Sequence, residues 1–363
     1  MTAGSDTGGL TGTAIPRSGP LTATRLFEVS QSNAYFRPEI ARNPRADELL
    51  VVHVGENSRF EAQIVAADGS SPPERSTFLG VEGYEPAVAY GSGPDEYLAV
   101  WQSPRPDRRM EILARRIGPA GTARGRTVRL SDRPDVVDAR LPAVVYRPDT
   151  RDYVAAWAGT RANGTTDVFA QRIRADGTET GPDDFRVSDH SGLGGRPENT
   201  APALAPDGAT DLMLAFSDGY EIYARRLTGA TAAPTGKDER LSTMGPAGDP
   251  AYRAATPAIA ALARPGGTRW LVTWSGNDTT SPRDGVEPEI FGQEFTRGFA
   301  QVGPDDFTIS QRSQRYGTTF AGFALDPVVA ADPATGRYLV AYYFQDETPD
   351  LPTYVRRVVT ATG

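Results

Sequence analysis

Carboxylates are the main reactive groups this chain offers. It has no cysteine and two histidines, His53 and His190. That excludes thiolate chemistry, disulfides, cysteine-ligated zinc and any multi-histidine metal centre. Asp189, His190 and Ser191 are consecutive, yet a nucleophilic triad needs three groups that converge in space, which chain neighbours rarely do. Two acids stand out by position. Glu85 and Asp326 each precede a proline that opens a repeated segment, as Arg37 does. Paired carboxylates suit acid–base hydrolysis of a glycosidic bond, but no flanking signature marks these two. Mixed with Arg37 they also suit binding of a polar ligand, or a solvated ring of structural ion pairs.

Other candidates sit in long, irregular segments. Tyr252 with Arg253, and Arg315 with Tyr316 and Phe320 behind, pair an aromatic face with a guanidinium, a combination able to hold sugars or carboxylates. The segment 275–289 carries Asp278, Asp284, Glu287 and Glu289. Oxygen ligands in one loop could hold Ca²⁺, the one ion the sequence suggests. The D-x-D-x-D-G order is missing, however, and a solvated acidic loop is the plainer account of them. Asp346, Glu347 and Asp350 form a weaker version of the same pattern. No other cofactor is implied.

These residues hang on a repeat. A proline, an apolar residue two places on, a short polar turn and an apolar run ending in an aromatic or histidine recur from Pro38, Pro86, Pro142, Pro202, Pro257 and Pro327. Each copy holds four strand-like segments. The first is small and apolar (PAVAY, 86–90). The second is apolar on both faces (YLAVW, 97–101; WLVTW, 270–274), as a strand covered on two sides must be. The third carries an arginine pair (EILARRI, 111–117; EIYARRL, 221–227), and the fourth ends in serine (FRVS, 185–188; FTIS, 307–310). The pentapeptide GPDDF precedes two of these fourth segments, at 181–185 and 303–307. No stretch shows a capped helical period. The pattern predicts an all-β, six-bladed β-propeller with four-stranded blades starting near 38, 86, 142, 202, 257 and 327. Trp101, Trp157, Phe216, Trp274, Tyr342 and His53, in one register, are expected to pack between blades.

The last copy lacks a fourth strand, and LFEVS (26–30) is a fourth strand with no first three before it. The expectation is that 26–30 completes the last blade and closes the ring, leaving no exposed edge. Residues 1–23, rich in Gly, Thr and Ser, read as a disordered leader, and 24–363 as one propeller domain. They contain neither a basic start nor an apolar stretch of signal-peptide type.

Net charge is −8 with a pI near 5.0, which argues against nucleic acid or anionic lipid as a partner. No apolar run is long enough to span a membrane. Segments such as EPAVAYGSGPDEYLAVW (85–101) and DGYEIYARRL (218–227) resemble repeats of large secreted or cell-surface bacterial proteins, including adhesin-like and haemolysin-type chains. That resemblance implies an exported, extracellular or surface-bound display module. The expected function is therefore non-enzymatic binding of a protein or glycan through the face that carries the long loops. The alternative is a carbohydrate-active enzyme, hydrolase or lyase, with carboxylates at the channel mouth. A purely structural module is the third reading.

Overall fold

The computed structural model describes residues 9–14, 25–33, 38–55, 58–66, 76–189, 200–207, 210–247, 249–277, 288–310, 323–345 and 353–360. Two strands, β1 (Gly9–Ala14) and β2 (Arg25–Asn33), form a two-stranded sheet. Six sheets follow, each built from strands consecutive in the chain. The first holds β3 (Glu39–Asn43), β4 (Glu48–Val54), β5 (Arg59–Ala66) and β6 (Ser76–Glu82). The second holds β7 (Tyr84–Gly91), β8 (Glu96–Pro104), β9 (Met110–Ile117) and β10 (Ala123–Arg129). The third holds β11 (Val136–Arg147), β12 (Asp152–Arg161), β13 (Thr166–Arg174) and β14 (Glu179–Arg186). The fourth holds β15 (Ala203–Pro206), β16 (Leu212–Ser217), β17 (Ile222–Thr228) and β18 (Ala233–Arg240). The fifth holds β19 (Ala254–Leu262), β20 (Arg269–Gly276), β21 (Glu289–Thr296) and β22 (Gln301–Thr308). The sixth holds three strands, β23 (Phe323–Asp332), β24 (Arg337–Gln345) and β25 (Thr353–Thr360). These are the blades of an all-β six-bladed propeller. By contacts the chain divides into two compact units, one of residues 4–157 with 170–185, the other of 1–3, 158–169 and 186–363.

Ring closure differs from expectation. The segment 26–30 does form a strand, within β2, but it pairs antiparallel with β1, Thr11 opposite Glu28 and Ala14 opposite Arg25. The sixth sheet is left with three strands. A short connection joins β1 to β2, so their pairing restricts the chain far less than joining its two ends would.

Burial follows the sequence pattern. Strands β12 and β16 are buried on both faces for most of their length. Trp101, Trp157 and Trp274 are fully enclosed, and Phe216 and Tyr342 nearly so, which makes them packing residues. His53 is fully buried too, with neither ring nitrogen hydrogen-bonded, and burial holds its pKa below the usual histidine value.

The serine that follows the fourth strand in four of the sheets has a visible task. Ser131, Ser188, Ser242 and Ser310 accept the backbone N–H of Ile112, Val168, Ile222 and Ile290 at 2.8, 3.0, 2.9 and 2.8 Å. The acid just before three of those positions pairs with an arginine of the fourth strand: Glu111 with Arg129, Asp167 with Arg186, Glu221 with Arg240. Serine and ion pair together bolt the outermost strand of a blade to its neighbour.

Candidate functional site

Of the residues singled out in the sequence, Arg37, Arg315, Tyr316, Asp278, Asp284 and Glu287 lie outside the described residues, as do His190, Phe320, Asp346, Glu347 and Asp350. Glu289 opens β21 in the register of Glu111, Asp167 and Glu221, so it occupies the bolt position opposite Gly276. Tyr252 ends a 3-10 turn, Pro250–Tyr252, capped by Asp249, whose Oδ1 accepts the Ala251 N–H at 3.0 Å. It packs on the hydrophobic core over Gly245, where a Cβ would come within 2.2 Å of its ring. Arg253 is exposed, and its carbonyl accepts the Asn277 N–H.

Glu85 and Asp326 belong to a recurring backbone device. With Leu141 and Thr256 they adopt left-handed φ angles of 46°, 55°, 54° and 50°, each directly before a proline that lies within the first strand of its blade. The register slips at Glu85, Thr256 and Asp326, between Tyr84 and Ala87, Ala255 and Ala258, and Leu325 and Val328, so these three sit in β-bulges. Non-glycine residues in this region are strained, and side chains of the preceding blade hold two of them. Gln102 Oε1 accepts the Leu141 N–H at 2.9 Å, and Ser275 Oγ accepts that of Asp326 at 3.1 Å.

A second group of acids converges inside the unit that contains residues 4–157 and 170–185. Strand β14 reads ETGPDDFR. Gly181 takes φ 83°, Pro182 has no N–H to offer the ladder, and Asp184 takes φ 40°. The strand therefore bulges, and Gln171 Oε1 accepts the Asp184 N–H at 2.9 Å to hold it. Asp184 is turned inward, 1 % exposed, and its Oδ2 accepts the Arg133 N–H at 2.8 Å. That bond secures the segment after Ser131 and brings Asp132 alongside. Carboxylate oxygens of Asp132, Glu179 and Asp183 lie within 4.8 Å of one another. Asp132 and Asp183 are exposed and Glu179 is half-buried.

The electrostatics follow from that crowding. Burial, with the charges of Asp132 and Asp183, pushes the Glu179 carboxyl up to about 7. Burial likewise takes Asp184 up to about 7, against the Arg133 N–H, with Asp183, Asp132 and Glu179 adding to the rise. Asp183 is raised by burial and by Asp132, and Arg133 opposes this. Beside the cluster lies a cleft of about 660 Å³, lined by Arg115, Arg116, Arg124, Arg126 and Arg129 as well as Asp132 and Glu179. Several of these arginines are engaged: Arg116 and Arg124 with Glu96, Arg129 with Glu111. Acids within reach of one another beside a basic cleft can transfer protons, stabilise a developing cation or bind a metal. The sequence reading passed over this group because GPDDF registered only as a strand marker. The available signal was an acid, Asp132, directly after the bolt serine of the blade before it.

No family model matches the chain, and no curated protein does either. Solved structures do. A Hadza microbial sialidase aligns over 91 % of this chain and 66 % of its own, with TM-score 0.56 and 13 % identity. A mutant of Trypanosoma rangeli sialidase displaying trans-sialidase activity aligns over 95 % and 56 %, with TM-score 0.55 and 11 % identity. The chain thus spans about two thirds or less of those sialidases. Hydrazine synthase of Kuenenia stuttgartiensis aligns over 85 % and 76 %, with TM-score 0.51 and 11 % identity. At these identities the likeness is one of fold. It corrects the adhesin- and haemolysin-type resemblance, because the repeat builds a propeller of the sialidase kind. Together with the acidic cluster it also counts against the expectation of a non-enzymatic binding module. Among the described residues no helix is long and apolar enough to cross a membrane.

Proposed function

We propose that the protein is a glycan-processing hydrolase whose chemistry is carried by Asp132 and Glu179 beside the arginine-lined cleft. One observation supports this most directly. Two carboxylates from different blades, one half-buried and one open to solvent, stand within 4.8 Å beside a cleft of sugar size. Glu179 is placed as the proton donor to the leaving oxygen, since one of its oxygens is enclosed and without a partner. Asp132 is placed as the carboxylate that meets the anomeric carbon. Their separation is nearer the roughly 5 Å of retaining glycosidases than the roughly 6.5–9.5 Å of inverting ones. The arginines would favour an anionic sugar, because a guanidinium binds a carboxylate through two parallel hydrogen bonds. The likeness to sialidases supports the class by fold analogy alone, and it puts sialosides first among substrates to try. The proposal puts the chemistry in the cleft rather than at the channel-mouth positions Glu85 and Asp326.

The test is hydrolysis of a panel of aryl glycosides, sialosides and uronides included, by the wild type, Glu179→Gln and Asp132→Asn. Turnover of one substrate class that both variants lose, with folding unchanged by circular dichroism, supports the proposal. Turnover that survives in both variants would remove these residues from the chemistry. No turnover across the panel would count against the hydrolase reading itself.

A further inference from the structure

Two hairpin turns of this chain are near copies of one another. Residues 161–165 read Arg-Ala-Asn-Gly-Thr and residues 174–178 read Arg-Ala-Asp-Gly-Thr, before and after β13. In each, the arginine N–H donates to the threonine carbonyl at 2.8 Å and the glycine N–H to the arginine carbonyl at 2.9 Å. Gly164 and Gly177 take φ 84° and 86°, a corner that glycine fills without strain. The side chain before the glycine is held alike as well. Asn163 Oδ1 accepts the Thr165 N–H at 3.0 Å and the Thr165 hydroxyl at 2.7 Å. Asp176 Oδ1 accepts those of Thr178 at 2.9 and 2.6 Å.

The surroundings differ. Arg116 of β9 lies against the second turn: its Nη1 donates to the Ala175 carbonyl at 3.3 Å, and a Cβ on Gly177 would come within 3.2 Å of its Cδ. Arg174 adds a bond to the Glu179 carbonyl at 3.1 Å. The first turn stands open. Asn163 and Gly164 are exposed, and a Cβ on Gly164 would meet nothing within 4 Å. Asn163 is also the one asparagine of the chain that glycine follows.

We infer that Asn163 is a site of enzyme-free modification, converted in water to aspartate through a succinimide shared with Gly164. Water is the only co-reactant. The Gly164 nitrogen gives its proton to solvent base and bonds to Asn163 Cγ. The Cγ–Nδ2 bond breaks, and Nδ2 leaves as ammonia with a proton from water. Water then adds to one ring carbonyl to give aspartate, or to the other to give isoaspartate. Glycine carries no side chain to crowd the attacking nitrogen. The two Thr165 donors draw electron density from the Cγ=O bond, while Nδ2, the leaving group, has no partner among the described residues. Because the Gly164 N–H is held by the Arg161 carbonyl, the attack waits on opening of the turn, a low-energy event at an exposed loop tip.

The twin turn shows what the fold makes of the product. Asp176 fits the same corner with the same two bonds, and Thr178, through its hydroxyl and then its N–H, holds that carboxyl below the usual aspartate value. Hydrogen bonds to a charged acceptor are the stronger ones, so aspartate at 163 keeps the turn. Isoaspartate puts one more atom into the backbone between Arg161 and Thr165 and breaks it. Asp176 is itself spared, since an ionised carboxylate is a poor electrophile and Arg116 clamps its turn. The modification stands independently of the proposed hydrolysis.

The test ages the full chain in mildly alkaline and mildly acidic buffer, then maps its peptides by mass spectrometry, with isoaspartate tagged by an isoaspartyl methyltransferase. The Asn163 peptide should exchange its amide for a hydroxyl ahead of every other asparagine peptide, and faster at the higher pH. The tag should appear at position 163 and not at 176. Both signals should vanish in Asn163→Gln, whose longer side chain closes a ring reluctantly, and Asn163→Asp should melt with the wild type. An Asn163 peptide that stays intact in the folded chain but converts in urea would overturn the site, because the turn would then protect it. Equal conversion at another asparagine would overturn the role given to this turn, and a clear drop in the melting temperature of Asn163→Asp would overturn its match to the twin.

Discussion

The two GPDDF segments share a backbone and differ in charge. In both, a glutamine of the neighbouring strand accepts the N–H of the second aspartate, Gln171 at 2.9 Å and Gln293 at 3.1 Å. In both, that aspartate accepts an N–H from the blade before it, at 2.8 and 2.7 Å. The fourth sheet makes the same contact without the full motif, since Asp238 Oδ2 accepts the Asp189 N–H at 2.8 Å. The capping aspartate is therefore scaffold. The neighbours supplied at Asp132 and Glu179 in one place, and at Thr243 and Gln301 in the other, decide whether the two aspartates stand beside further carboxylates or beside neutral groups.

The sharpest way to break this comparison is catalytic. Glu179→Gln should lower kcat/KM about a hundredfold or more, the usual worth of a general acid, while Gln301→Glu in the sister segment should leave it unchanged in a steady-state assay. Equal losses from both would mean that neither segment is special. Next in size is Thr243→Asp, which removes a hydroxyl donor and sets a third carboxylate beside Asp305 and Asp306. It should cost about 1–3 kcal/mol of stability in urea melts near neutral pH. A neutral outcome would show that the sister segment tolerates the crowding of its twin.

A subtler contrast lies in pH. Burial takes the Asp306 carboxyl up to about 6, opposed by the Thr243 N–H and hydroxyl, whereas an unfolded aspartate titrates near 4. The folded state thus holds this proton more tightly than the unfolded one. The stability it lends is complete below about pH 4 and is lost as pH rises through about 6. After allowance for solvent screening this is about 1 kcal/mol. Asp306→Asn should flatten that part of the stability profile, measured by denaturant titration from pH 4 to 7. An unchanged slope would place the titration elsewhere.

The sequence carried most of the scaffold because the repeat is written in burial. Trp101, Trp157 and Trp274 mark strands covered on both faces, and the prolines at 86, 257 and 327 follow a bulge within the first strand. Closure was not legible: the motif at 26–30 is a sound strand, but its partner was decided by proximity to β1. The acidic cluster was hidden for a different reason. Asp132 and Glu179 belong to different repeats and look like ordinary surface acids. Their meeting depends on the Asp184 bulge and on a one-residue difference in the preceding connection, neither of which has a compositional signature.

The serine bolts reach further than holding strands in register. The outermost strand of a blade has one paired edge and would ordinarily fray first, on the exchange timescale of loops. Here the amides of Ile112, Val168, Ile222 and Ile290 end on a hydroxyl that is itself buried. Opening such an amide means withdrawing a side chain as well as peeling a ladder. The rim of each of these blades should therefore exchange its hydrogens almost as slowly as the tryptophan-packed strands inside it, with protection fading from the bolt toward the outermost strand's far end.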